Sequence, residues 1–173
     1  MSRRLVAVLG VLLVACGQRD DTPPPQPVPI PADAIAYFCG MGVAEHPGPK
    51  AQIWLKSTDQ PLWFAQVRDA IAFTLLPEEP KDIRIIWVND MGKSESWQRP
   101  EAWVEARKAL FVIGSSQMGG MGLAETVPFS DRGAADAFTH HYGGRIVALA
   151  DIPPDAILAI PPPAPMPGGP HDH

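Results

Sequence analysis

Cysteine is nearly absent from this chain: its 173 residues include two, Cys16 and Cys39. At most one disulfide could form within it, so a small fold stapled by several bridges is excluded. Long apolar runs are missing as well. The longest, Leu5–Val14, covers about ten residues, well short of the roughly 20 that a membrane-spanning helix needs. Basic side chains are in deficit, with 14 lysines and arginines against 19 aspartates and glutamates and a formal net charge of -5. No basic stripe or basic-aromatic patch stands out, which argues against a nucleic-acid partner. An acidic balance suits a protein that handles cations.

Proline is present in excess, 21 residues in all. It concentrates near the two ends, in "TPPPQPVPIP" and "PPPAPMPGGPHDH". Such stretches cannot bury a core and prefer extended polyproline II. Ahead of the first, Arg3 and Arg4 followed by the apolar run Leu5–Val14 form the positive and hydrophobic regions of an export signal. The run ends in "LVAC", which resembles the lipobox of bacterial lipoproteins. That resemblance implies diacylglycerol on Cys16, which becomes the mature N-terminus. Gly17 stands where an aspartate would suggest inner-membrane retention, so the outer membrane is favoured. The alternative is an ordinary signal peptide that contains a cysteine. The expected organisation is a signal over 1–15, a lipidated linker over 16–34, one compact domain over 35–160 and a tail over 161–173. A linker of this kind, at about 3.1 Å per residue, would lift the domain on the order of 50 Å from a membrane.

Two segments of the domain share a pattern. Phe64 and Phe129 are each followed by a second phenylalanine, Phe73 and Phe138, inside the triplet Ala-Phe-Thr. Each segment then reaches a β-rich run opening on Arg-Ile, at Arg84-Ile85 and Arg145-Ile146. Further β-rich runs, "AQIWLKS" and "ALFVIGS", precede the two copies. The chain therefore reads as strand, strand, helix, strand, used twice over about 35–100 and 101–160, an α+β fold of duplicated ββαβ units. In the second copy Ser130 is expected to cap a helix over 131–142 that ends at Gly143. In the first, Val67, Ile71, Thr74 and Leu75 fall on one helical face expected to be buried. The first two strands are joined by a longer connection in the second copy, and the added length carries Met118 and Met121. Insertions of this kind commonly carry function.

If Cys16 is lipidated, Cys39 is the lone thiol of an exported protein. Such a thiol pairs between molecules, reacts, or binds a soft ion, and thiolate and thioether select Cu(I) over hard cations. Met41, two residues on, is expected on the same side of an extended chain. Met41, Met91, Met118 and Met121 each adjoin a glycine, which strips away covering side chains. His46 could add a nitrogen donor. His140 and His141 close the second helix, where positive charge suits the dipole, and His171 and His173 flank Asp172 in the tail.

Together "CGMGVAEHPGPKAQI", "FVIGSSQMGGMG" with its "VPF", and "AF…YGGRIV" resemble the NosL family. The resemblance covers almost the whole mature domain. It implies a fold of paired ββαβ units related to the organomercurial lyase MerB, and a periplasmic, lipid-anchored, monomeric Cu(I) chaperone rather than an enzyme. The implied partners are nitrous oxide reductase and its ABC-type maturation complex. The implied ligands are Cys39, Met41, His46, Met118 and Met121. Many members carry a second cysteine just before the first motif, where this chain has Ala36, Tyr37 and Phe38, so one chain here cannot offer two thiolates. Two other functions compete. A thiol enzyme would pair Cys39 with Glu45 or Asp90, although no activating triad is evident. A scaffold lipoprotein would dock through tryptophans such as Trp63, Trp87, Trp97 and Trp103, with Asn89–Trp103 as its docking loop.

Overall fold

The structure is a computed structural model that describes residues 23–159. The signal segment, Cys16 and the tail with His171 and His173 lie outside the described residues. In chain order the strands are β1 (Ala51–Leu55), β2 (Leu62–Phe64), β3 (Ile83–Asn89), β4 (Trp103–Glu105), β5 (Leu110–Ile113), β6 (Val127–Phe129) and β7 (Arg145–Ala148). The helices are α1 (Val67–Leu75), α2 (Arg132–Tyr142) and α3 (Pro154–Leu158). β1, β2, α1 and β3 repeat as β5, β6, α2 and β7, and in both units the first strand lies between the other two in an antiparallel sheet. The matching phenylalanines occupy matching places: Phe64 faces Ala51 across the first pair, and Phe129 faces Leu110 across the second. The duplication of the sequence is a duplication of α+β structure. β4 pairs with β3 and widens the first sheet, an addition the repeat pattern does not announce.

Alternation along β1 decides what covers each face. Ala51, Ile53 and Leu55 are buried on one side with Phe64, Val88 and, from α1, Val67, Ala70, Ile71 and Phe73. Thr74 and Leu75 do not join that face: Leu75 is exposed, and the Thr74 hydroxyl bonds back to the Ile71 carbonyl. The helix turns Phe73 inward instead, which closes the stripe before its last turn. In the second unit Val112, Val127, Phe129 and Ala135 form a separate cluster under α2, while Phe111 points the other way into the first unit's core. Asp131 caps α2, accepting from the Ala134 N–H at 2.9 Å, and Gly143 ends it with φ 69. Ser130 is not the cap. Asp90 takes both its hydroxyl and its backbone N–H, tying the end of β6 to the first unit.

The proline-rich run behaves differently along its length, for residues 23–30 lie against the domain. On the second face of β1 the fully buried Gln52 accepts from Val28 N–H at 3.1 Å and donates to its carbonyl at 3.0 Å, as a strand neighbour would. Trp87 Nε1 donates to the Pro25 carbonyl and Arg84 to that of Pro23, each at 3.0 Å. Docking spares the sheet an exposed, partly apolar face.

Candidate metal centre

Cys39 stands in a tight loop laid beside β2. Ala36 N–H donates to the Met41 carbonyl at 2.8 Å, Gly40 N–H to the Ala36 carbonyl at 2.9 Å, and Tyr37 N–H to the Trp63 carbonyl at 2.8 Å. Gly40 turns the chain with φ 66, a conformation costly for a residue with a Cβ. Cys39 and Met41 are therefore joined by a turn, not by the extended chain expected. Cys39 is half-buried against Ala34, Ala36, Val43 and Ala65, while Met41 is exposed. Tyr37 and Phe38 brace the loop from below, with ring centroids 5.8 Å each from Phe64.

The second sulfur group lies on the long connection between β5 and β6. Gly119 N–H donates to the Leu123 carbonyl and Gly122 N–H to that of Gly119, at 2.8 and 3.0 Å, folding residues 118–124 into a small closed turn. Met118 and Met121 project from it, 48% and 40% exposed. Its glycines let it settle on the first unit. A methyl group at Gly120 would stand 2.6 Å from the His46 Cβ, and one at Gly119 would stand 3.0 Å from Gln66 Oε1. The structure thus brings His46 against the methionine loop. Cys39 packs on the cluster that includes Ala65, the residue before Gln66 in the chain, while the methionine loop rests on Gln66 itself.

Among the described residues His46 Nε2 is buried without a hydrogen-bond partner, although the residue is only half-buried. A buried imidazole nitrogen left bare is a candidate cation ligand, and the methionine loop passes over the Cβ of the same residue. Among the described residues no three His, Cys, Asp or Glu side chains gather as a metal cage, so a hard-ion site of that type is not built here. What the loops offer is one thiol, thioethers and an imidazole, a donor set for a soft, low-coordinate ion.

Other residues singled out from sequence fall elsewhere. His140 and His141 are exposed in the last turn of α2. Asp90 is fully buried, and Ser130 and Gly92 bond its carboxylate, so it does not serve the thiol. The segment proposed for docking begins with Asn89 and Asp90, both inaccessible, and its Trp97 packs inward against Gly48 and the second unit's cluster. Trp103 lines a cavity of about 600 Å³ with His46, Lys50, Arg99 and the docked Val28. Sequence reasoning missed Gln66, Glu125 and Lys50, buried polar residues around the site. Burial pushes the Glu125 carboxyl up to about 8, against the pull of two backbone N–H groups and Lys50. Burial also brings the Lys50 ammonium down to about 8, opposed by Glu125.

Compared with known proteins, the sequence model of the NosL family matches residues 27–157. The chain belongs to the NosL family. It is 45% identical to the copper-binding lipoprotein NosL of Achromobacter cycloclastes, over 91% of this chain and 82% of that one. It is 29% identical to the copper-binding lipoprotein NosL of Stutzerimonas stutzeri, over 98% and 87%. The NosL fold seen here resembles the crystal structure of the copper chaperone NosL from Shewanella denitrificans, with TM-score 0.71 and 36% identity over 75% of this chain and 97% of that one.

Proposed function

We propose that this NosL-family protein carries Cu(I) in the periplasm and hands it to nitrous oxide reductase, working with an ABC-type maturation complex. What supports the reading is that the methionine loop of the second unit rests on Gln66 and the His46 Cβ, while the Cys39 loop packs on the cluster containing Ala65, and that His46 Nε2 is buried without a partner among the described residues. The ligands in this reading are Cys39, Met41, His46, Met118 and Met121. Relatives named as copper-binding lipoproteins and a copper chaperone support it. A lone thiolate with exposed thioethers also suits transfer, because an incoming ligand can reach the ion before the outgoing one leaves. The protein acts here as a carrier and not as a catalyst, and Cys16 holds it by lipid to the periplasmic face of a membrane. Among the described residues no helix is long and apolar enough to cross one.

One experiment with two arms tests this. Cu(I)-loaded soluble domain, mixed anaerobically with copper-free nitrous oxide reductase and the maturation complex, is expected to lose copper to the reductase and restore its copper spectrum. In cells, Cys16→Ala is expected to abolish incorporation of labelled palmitate into the protein. Copper that stays on the donor with all components present would sink the delivery reading, and unchanged labelling would sink the anchor.

A further inference from the structure

Beneath the tip of the methionine loop lies a polar pair that the copper reading leaves without a task. Gln66 is fully buried, and neither its Oε1 nor its Nε2 has a hydrogen-bond partner in the described residues. Glu125 is 1% exposed, and its Oε2 is likewise unpartnered. Burying such groups without partners costs about 1–3 kcal/mol each, so apolar side chains of the same size would serve better if the site needed only filling.

Both groups meet the loop at Gly119. A Cβ there would stand 2.7 Å from Glu125 Oε2 and 3.0 Å from Gln66 Oε1, so the two oxygens flank one point directly under the backbone between Met118 and Met121. Gly119 does not have the left-handed backbone of Gly122, so what bars a side chain at this position is the pair below it. The second oxygen of Glu125 ties the loop down. Oε1 accepts from Thr126 N–H at 2.8 Å, at the foot of the loop, and from Arg68 N–H at 3.3 Å, in the first turn of α1. Gln66 is the N-cap residue of that same helix, yet its side chain makes no cap bond. It is spent under the loop instead.

We propose that Glu125 and Gln66 are positioning residues for the copper site, closing from below on Gly119 and so fixing the backbone that presents Met118 and Met121. This rests on the copper reading above. Burial raises the Glu125 carboxyl to about 8, which favours its protonation under the loop. Of the charged neighbours, Lys50 opposes that protonation and Asp69 favours it. The pair touches Gly119 and stands beneath the donors, the role that supporting residues play at metal sites.

The test uses the soluble domain with ¹³C-methyl methionine. Without copper, the Met118 and Met121 methyl resonances are expected to shift and broaden in Gly119→Ala and Glu125→Ala. In Glu125→Gln, which keeps the shape and a neutral side chain, they are expected to stay in place, with Met91 as an internal reference. Cu(I) affinity from chelator competition should follow the same order, falling about 10- to 100-fold in the first two variants and recovering in the third. Unmoved methyl signals in Gly119→Ala and Glu125→Ala would overturn the inference. So would a Glu125→Gln variant as damaged as Glu125→Ala, since that would require a charged carboxylate. The methyl readout needs no metal, so its failure is separate from that of the copper reading, which would show as a wild-type protein that does not bind Cu(I).

Discussion

Cys39→Ser is expected to lower Cu(I) affinity by more than about 100-fold while leaving the fold in place. Removing a residue that only supports a ligand typically costs 10- to 100-fold, and loss of the lone thiolate should exceed that. Serine matches cysteine in size but offers a hard hydroxyl that a soft monovalent ion ignores. Cys39 is half-buried on a small cluster, and the turn around it is held by backbone bonds the substitution does not touch. Stability should therefore fall by about 1 kcal/mol, without loss of the fold. Competition against a chromogenic Cu(I) chelator, under reducing anaerobic conditions, gives the affinity, and thermal unfolding of the same samples gives the control. Full affinity in Cys39→Ser would remove Cys39 from the site.

The second large effect concerns the fold beneath the loop. Phe64→Ala is expected to destabilise the domain by about 3–5 kcal/mol, the range for emptying a buried aromatic position. Phe64 is 1% exposed and sits at the junction of four rings, with centroids 5.6 Å from Phe73 and 5.8 Å from both Tyr37 and Phe38. It links the core under α1 to the two residues that precede Cys39. A fall in Tm of roughly 10–20 °C follows for a domain of this size. Tyr37 and Phe38 would also lose their backing, so copper affinity should drop in the still-folded fraction. Scanning calorimetry decides the first point, and a variant melting within a few degrees of wild type would contradict the packing argument.

How much of this was legible in the sequence depended on whether a signal was local. The repeated phenylalanines, the Ala-Phe-Thr triplets and the Arg-Ile strand openings announced two ββαβ units, because register and helix phase fix such residues in place. Cysteine, histidine and glycine-flanked methionines could be picked out because their chemistry is distinctive wherever they fall. Gln66 and Glu125 belong to no motif, and their burial is decided by which loop closes over them. The docking of residues 23–30 was hidden for a similar reason. Proline-rich composition favours a solvated chain, yet Val28, between two prolines, keeps a free N–H and carbonyl, and the Gln52 amide satisfies both. Ser130 and Asp131 are both good capping residues, and Asp90, forty positions away in the chain, decides between them by claiming the serine.

In the proposed function, sulfur from two loops and one imidazole converge on a single Cu(I). X-ray absorption at the copper edge of the reduced, singly loaded domain tests it most directly, because it reports oxidation state and counts donors by element. Cu(I) with mostly sulfur scatterers, and fewer of them in Cys39→Ser, is the result expected. A first shell of nitrogen and oxygen alone, or one identical in wild type and Cys39→Ser, would contradict it.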